Sequence, residues 1–360
     1  MKFMFNKIIL NDLEEIYKRE INWSILEDKT VLVTGAYGML ASYVVFFLLY
    51  LKRYHNVNVK IILLVKSQEK CFNRYLKFTP ITDFDVVESD LLSAINVDCN
   101  IDYIIHAASL ASPQYYNICP IEVLEPNVIG TYNLLKLAEE KKCKGFLLFS
   151  TGDIYGEVKE LKIITESDYG VMDTLDIHNC YSESKRMAET ICNSFFVQKK
   201  IPVKIARIWH TYAPTMDIKN DPRVFSSFVG DIVNNRDIIM KSSGQGKRCF
   251  CYITDAVAGY IKILLEGVSG EAYNVCNENQ FMSIQELADI LVTLNPEAGL
   301  KVVHKERAKD ENYTENILLL NNESIPSSNK LQNLGWTPNI TVKEGFRRVI
   351  NYFKETGAYL

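Results

Sequence analysis

The chain has 360 residues, 48% of them apolar and 23% charged, and a formal net charge of −4. That length suits one large domain or two intimate ones of ordinary globular composition, and mild acidity without a basic stripe excludes a nucleic-acid surface. The longest apolar run, Tyr43 to Leu51, is less than half the roughly 20 residues that a membrane span needs, so no membrane partner is expected.

Residues 1–27 read as a polar, partly helical extension that includes Trp23. Asp12, Glu14, Glu15, Lys18 and Glu20 interrupt it, which argues against a secretion signal. Apolar, β-branched runs then follow at Thr30–Thr34, Val59–Val65, Phe84–Glu88, Tyr103–Ala107, Phe146–Ser150, Val203–Ile208 and Ala272–Val275. Helical patterns such as Ala41–Tyr50, Val123–Lys142 and Ser182–Val197 separate them. Strands that are apolar throughout, alternating with helices, predict a parallel sheet covered on both faces. Beyond residue 210 the regularity weakens, and loops with short helices from Asp217 to Met240 and Ser283 to Ile340 predict a smaller C-terminal lobe. A strand near 272–277 is expected to return to the sheet, so the lobes interweave. The nine cysteines are scattered and odd in number, as expected of reduced thiols in a cytoplasmic protein. Cys249 and Cys251 are spaced poorly for a metal and well for alternate strand positions; no metal site is expected.

The first strand runs into Thr34-Gly35-Ala36-Tyr37-Gly38-Met39-Leu40-Ala41 and a helix follows. Glycines there let the backbone turn tightly and let a pyrophosphate approach the helix N-terminus, where free N–H groups and the helix dipole favour an anion. This predicts a dinucleotide site and an α/β fold of the Rossmann type, a doubly wound parallel sheet with a smaller, interwoven C-terminal lobe. Residues 28–210 are mainly the NAD(P)-binding part and residues 211–360 mainly the substrate part. The second strand ends Leu64-Val65-Lys66-Ser67, without the carboxylate that usually meets the adenosine ribose of NAD. Lys66 and Ser67 suit a 2′-phosphate, a lean towards NADP over NAD, although Lys66 also reads as a solvated strand end. Asp90, after the third strand, is placed for the adenine amino group.

Tyr181-Ser-Glu-Ser-Lys185 opens a helix, and i, i+4 spacing puts phenol and ammonium on one face. The ammonium is expected to lower the tyrosine pKa, so that Tyr181 exchanges a proton with a sugar hydroxyl while hydride moves to or from nicotinamide. About thirty residues earlier a strand ends in Ser150-Thr151-Gly152-Asp153-Ile154-Tyr155-Gly156. The carboxyl edge of a parallel strand is where such sheets place ligands, and Thr151 there is a partner for the same substrate oxygen.

The chain resembles the extended short-chain dehydrogenase/reductase family, the nucleotide-sugar epimerases, dehydratases and decarboxylases, over about residues 28–350. The resemblance rests on Thr34–Ala41, His106-Ala-Ala-Ser109, Asn127-Val-Ile-Gly-Thr131, Ser150–Gly156, Tyr181–Lys185, Arg207–Pro214, Arg248–Asp255 and Leu334-Gly-Trp-Thr-Pro338. Ala107–Pro113 and Ala188-Glu-Thr-Ile-Cys192 look most like UDP-glucuronate decarboxylases. The resemblance implies catalytic Thr151, Tyr181 and Lys185. It implies cofactor contacts from Gly35, Tyr37, Gly38, Met39, Leu40, Asp90, Leu91, Ala107, Ala108, Ser109 and Asn127, the last either structural or beside the cofactor. It implies Arg248 and, less directly, Arg223 on the substrate diphosphate, with Ser109 near the substrate. It also implies a homodimer through paired helices, for which the apolar faces of Asn127–Ala138 and Ser182–Phe196 are suited.

The departures bear on the reaction. Decarboxylases of this group usually carry Thr-Ser-Glu, and glucose 4,6-dehydratases Thr-Asp-Glu, where this chain has Thr151-Gly152-Asp153. Asp153 keeps one acid, shortened by a methylene, and points to proton transfer at a carbon beyond the oxidised one. His210 stands where an asparagine is usual and is a candidate for a substrate hydroxyl or phosphate. Glu323 falls where decarboxylases carry an arginine near the substrate carboxylate or diphosphate, and a carboxylate there would repel a glucuronate rather than hold it. The expected function is NAD(P)-dependent modification of a nucleotide-linked sugar, with decarboxylation, dehydration, epimerisation and NADPH-dependent reduction open as net reactions. A non-catalytic dinucleotide sensor is the alternative of another class.

Overall fold

The computed structural model describes residues 5–76, 78–158, 163–221, 223–305 and 324–357. In chain order the elements that build the site are α1 (Lys7–Tyr17), β1 (Thr30–Thr34), α2 (Met39–Tyr54), β2 (Lys60–Val65), α3 (Gln68–Tyr75), β3 (Asp85–Glu88), β4 (Tyr103–His106), α4 (Pro120–Glu125), α5 (Thr131–Lys141), β5 (Gly145–Thr151), β6 (Ile163–Ile164), α6 (Cys180–Lys199) and β7 (Val203–Ile208). Each of the seven apolar runs is a strand of one sheet, ordered Ala272–Val275, β7, β5, β4, β1, β2, β3. Every pairing in it is parallel, and the carboxyl ends of all seven strands lie along one edge.

The sheet is apolar on both faces because helices cover both. Along β1, Val31 and Val33 join one core with Ile61, Leu63, Ile105 and Leu147, beneath α2. Leu32 between them joins the other, with Ile62, Leu64, Ile104, Phe146 and Leu148, beneath α5 and α6. This period of two on two buried faces is why the strands show no polar alternation. Helix α2 is buried from Ala41 to Leu51, the length of a core helix. Among the described residues no helix is long and apolar enough to cross a membrane.

Helix α1 is part of the core rather than an appendage. Ile9, Leu13 and Ile16 are buried on it, together with Asp12. The Asp12 carboxylate accepts from the Tyr43 hydroxyl at 2.8 Å, the Tyr252 hydroxyl at 2.7 Å and the Arg348 guanidinium at 2.9 Å. It thereby joins α2, the strand Cys251–Tyr252 and the C-terminal helix Val342–Thr356. Beside it Arg19 meets the buried Asp255 at 2.5 Å, and Asp255 also accepts from the backbone N–H groups of Asn339 and Ile340.

Removing a partner from a buried charge pair costs about 3 kcal/mol or more, so Asp12→Ala is expected to lower the unfolding free energy by that much, read as a lower urea midpoint at unchanged slope. Burial pushes the Asp12 carboxyl from its ordinary 3.8 up to about 6. The native state then binds this proton more tightly than the unfolded chain, so this residue's contribution to stability falls as pH rises from 3.8 towards 6. Urea midpoints across that window are expected to show the slope in the wild type and to lose it in Asp12→Asn.

Candidate active site

β1 delivers the chain to Gly35, which adopts φ +61°. A Cβ at this position would lie 2.7 Å from the Ala108 Cα and 2.9 Å from its nitrogen, so both conformation and space demand glycine. The Thr34 hydroxyl fixes the approach. It accepts from the backbone N–H groups of Ala107 and Ala108, each at 3.1 Å, and lies 2.9 Å from His106 Nδ1. The exposed Gly38 then caps α2 without any side-chain hydrogen bond. The first N–H groups of that helix point at the carboxyl edge, the arrangement a pyrophosphate requires. Tyr37, Met39 and Leu40 are half-buried around this turn, with Arg74 donating to the Tyr37 carbonyl at 3.1 Å. The Ser109 hydroxyl, just beyond the Ala108 contact, is buried with no protein partner. An orphaned hydroxyl, a cradle that a Cβ would fill and a helix N-terminus without a side-chain cap together fit a dinucleotide.

At the adenosine end Lys66 is solvated, with its ammonium 3.4 Å from the Asp90 carboxylate. The other Asp90 oxygen accepts from the Leu92 N–H at 3.1 Å. The Ser67 hydroxyl caps α3 by accepting from the Lys70 N–H at 3.3 Å. Sequence reasoning missed Glu88. The pairing of Val65 with Glu88 brings this carboxylate to the end of β2, where it accepts from the Gln68 N–H at 3.0 Å. Leu91 is buried against Gly130, where a Cβ would lie 3.1 Å from its own Cβ. Residues 126–130, between α4 and α5, form a π-helical turn, a feature common where a helix serves a site. Asn127 lies in that turn, fully buried. Its amide donates to the Val123 carbonyl at 3.0 Å and the Ser184 hydroxyl at 2.9 Å, pinning the turn to α6, while its Oδ1 lacks a protein partner.

α6 carries Tyr181 and Lys185 towards the end of β5. Both are buried. The Lys185 ammonium donates to the Phe149 carbonyl at 2.7 Å and lies 5.9 Å from the Tyr181 ring centre. Thr151 closes β5; its hydroxyl accepts from the Asp153 N–H at 3.2 Å and is near enough to the Tyr181 phenol to favour its ionisation. The expected lowering of the Tyr181 pKa is overturned. Burial pushes the phenol above its ordinary 10 and the Asp153 carboxylate adds to the rise, with Thr151 and Arg223 opposing. Lys185 does not counter this because its ammonium is turned onto a β5 carbonyl. Burial lowers the Lys185 ammonium itself, to about 7. Sequence reasoning also missed Tyr116, which stacks on Tyr181 with ring centres 5.4 Å apart.

Asp153 retains exposed surface yet is walled by protein, as on the floor of an open crevice. Desolvation raises its carboxyl, against the pull of Thr151 and of Arg248 from the C-terminal lobe. Arg248 lies on the strand Lys247–Cys249 and Arg223 immediately before the helix Val224–Val233. Burial and these two guanidinium groups together push His210 down to about 3, so its imidazole is neutral. Arg223 is engaged by Asp221 through its Nε at 2.9 Å. Arg248 thus acts on Asp153, Arg223 on Tyr181 and both on His210, so the two guanidinium groups belong to the same electrostatic neighbourhood as the end of β5. Glu323 lies outside the described residues.

Gly152 explains the missing middle polar group. A Cβ there would lie 2.7 Å from the Trp209 indole carbons. Trp209 stacks on Tyr155, and its indole N–H donates to Asn274 at 3.2 Å. No local signal joins positions 57 residues apart.

Backbone strain at a left-handed non-glycine residue costs about 1–3 kcal/mol, and at Gly35 the displaced Ala108 backbone adds to it. Gly35→Ala is therefore expected to weaken dinucleotide binding by roughly tenfold or more in titration calorimetry. Thermal unfolding without the dinucleotide separates that loss from a folding defect.

The profile of the NAD dependent epimerase/dehydratase family matches residues 31–276. The chain is similar to UDP-glucuronic acid decarboxylase 6 of Arabidopsis thaliana, with 29% identity over 88% of this chain and 86% of that one. It is 31% identical to UDP-glucuronic acid decarboxylase 3 of the same plant, over 73% of this chain and 72% of the other. Among solved structures, UDP-glucose 4-epimerase of Thermotoga maritima with UDP-glucose superposes with TM-score 0.75 at 20% identity, covering 91% of this chain and 99% of its own. UDP-glucuronic acid 4-epimerase of Bacillus cereus, in complex with UDP-glucuronic acid and NAD, gives 0.72 at 18% identity, with 91% and 99% covered. Glycine turn, sheet order, the Tyr181–Lys185 helix and the profile match agree: this chain belongs to the NAD dependent epimerase/dehydratase family.

Proposed function

We propose that this protein oxidises a ring hydroxyl of a UDP-hexuronate and then releases its carboxylate as carbon dioxide. The observation that carries the reading is the convergence of Thr151, Tyr181 and Asp153 at the carboxyl edge of β5, within the electrostatic reach of Arg223 and Arg248. When bound, nicotinamide supplies a reversible hydride acceptor. Gly35, Gly38 and the Ala107–Ser109 stretch hold the dinucleotide. Thr151 orients the reacting hydroxyl, Tyr181 takes its proton, and the Lys185 ammonium holds the nicotinamide ribose and stabilises the phenolate. The raised phenol pKa makes Tyr181 a poor base until that ammonium turns towards it. The carboxyl of Asp153, raised by its surroundings, carries a second proton, which decarboxylation needs at the carbon that loses carbon dioxide. Arg248 and Arg223 neutralise the diphosphate, and His210, neutral, donates or accepts a hydrogen bond at a hydroxyl or phosphate. The curated relatives, named as UDP-glucuronic acid decarboxylases, support this substrate.

NAD is the proposed cofactor. Lys66 and Ser67 kept NADP open, but Lys66 is matched by Asp90, the Ser67 hydroxyl caps α3 and the Glu88 carboxylate opposes a 2′-phosphate. A homodimer through α4, α5 and α6 is supported by the exposed Ile121, Tyr132, Met187 and Val197 on those helices and Ile129 in the turn between α4 and α5. All nine cysteines are free thiols, which fits a reducing cytoplasm.

Mass spectrometry of the denatured protein is expected to find NAD; NADP alone would reverse that assignment. Incubation with UDP-glucuronate is expected to release carbon dioxide. Tyr181→Phe is expected to lower that turnover by about a thousandfold with nucleotide-sugar binding retained, and unaltered turnover would remove Tyr181 from the chemistry.

A further inference from the structure

Behind Thr151 and Lys185 lies a buried ion pair that the chemistry above does not use. Glu189 stands one helical turn beyond Lys185 on α6. Its carboxylate accepts from the Ser150 hydroxyl at 2.6 Å and from Arg207 Nη2 at 2.8 Å, with Arg207 Nε at 3.2 and 3.3 Å from its two oxygens. Ser150 precedes the catalytic threonine, and Arg207 is its register partner on β7. The remaining Arg207 nitrogen donates to the Tyr155 hydroxyl at 3.0 Å and the Glu166 carbonyl at 2.9 Å, which ties down the turn that carries Asp153. One carboxylate thus joins the helix of Lys185 to the strand of Thr151.

We propose that Glu189 is a positioning residue that holds Lys185 protonated and in register with Thr151, so that the ammonium is available to the nicotinamide ribose. The inference rests on the dinucleotide reading above. Lys185 faces Cys192 and Glu189 on its own helix, the Tyr181 ring, and His106 from β4. Burial pushes the Cys192 thiol far up and His106 down to about 3, so both are neutral. Burial lowers Lys185 to about 7, opposed by Cys192 and then by Glu189, and of these two it is Glu189 whose carboxylate is anchored to β5 and β7 through Ser150 and Arg207. Arg207 meets that carboxylate from β7; its positive charge opposes an ammonium at Lys185, so removing it is not expected to make Lys185 lose its proton more readily.

The test is the pH dependence of NAD affinity, measured by calorimetry on the whole chain, in wild type, Glu189→Gln, Glu189→Asp and Arg207→Met. Binding weakens as Lys185 loses its proton. In Glu189→Gln that weakening is expected to begin about one pH unit lower, with Glu189→Asp restoring most of the profile and Arg207→Met not shifting it downwards. A Glu189→Gln profile that superimposes on the wild type, or an equal downward shift in Arg207→Met, would overturn the proposal in favour of a purely structural pair. Should Glu189→Gln not fold, Glu189→Gln/Arg207→Gln leaves no unpaired buried charge and is read in the same way. Carbon dioxide release by the wild type tests the substrate reading separately, so failure there leaves this result intact.

Discussion

Lys185 places an ammonium in the protein interior against the Phe149 carbonyl, and much of the catalytic edge is arranged around tolerating it. A buried charge is costly unless partners compensate for lost water. Here the carbonyl supplies a hydrogen bond at short range and Glu189 supplies opposite charge one helical turn away. Both compensations depend on α6 lying close against β5, which the Asn127 amide secures by linking the π-helical turn to Ser184. The same closeness desolvates Tyr181 and raises its phenol. Burial therefore favours the neutral form of both the phenol and the ammonium at this edge.

The C-terminal lobe is bound into this arrangement by polar contacts of long sequence separation. Asp12 reaches Tyr252 and Arg348 across 240 and 336 positions. Asp255, after the arginine-bearing strand Lys247–Cys249, takes Arg19 and the backbone at Asn339 and Ile340. Helix α1 thus ties the segment that follows Arg248 to α2, which packs on the sheet whose edge α6 and Tyr181 approach.

The sheet was legible because its signals are local. Every strand but the edge strand β3 is a short run largely buried on both faces, and a turn with Gly35 at positive φ announces the crossing of β1 into α2. Thr151, Tyr181 and Lys185 were legible because their spacing within one helix and their place at a strand end constrain where they lie. What escaped depends on register and fold. Glu88 sits in a different strand from Lys66 and becomes its neighbour only through the pairing of β2 with β3. The polarity of α1 suggested an exposed extension, yet Asp12 is buried on partners hundreds of residues away. The direction of the Tyr181 shift turned on which way a lysine side chain points, which i, i+4 spacing does not determine.

The pairing of Gly152 with Trp209 shows how such a family can vary its chemistry without altering its catalytic trio. The indole fills the volume that a side chain at 152 would need, and Tyr155 and Asn274 hold it there through stacking and a hydrogen bond. A serine or aspartate at 152 would have to displace a fixed aromatic ring rather than a mobile tip, so the two positions are coupled. With the middle polar group excluded, Asp153 is the acid left on this turn, shorter than a glutamate and aimed by the Thr151 hydroxyl and the field of Arg248. On the function proposed above, proton transfer beyond the oxidised carbon would then depend on how closely the substrate is drawn towards that shorter carboxyl, and so on how Arg248 and Arg223 of the C-terminal lobe would hold its diphosphate.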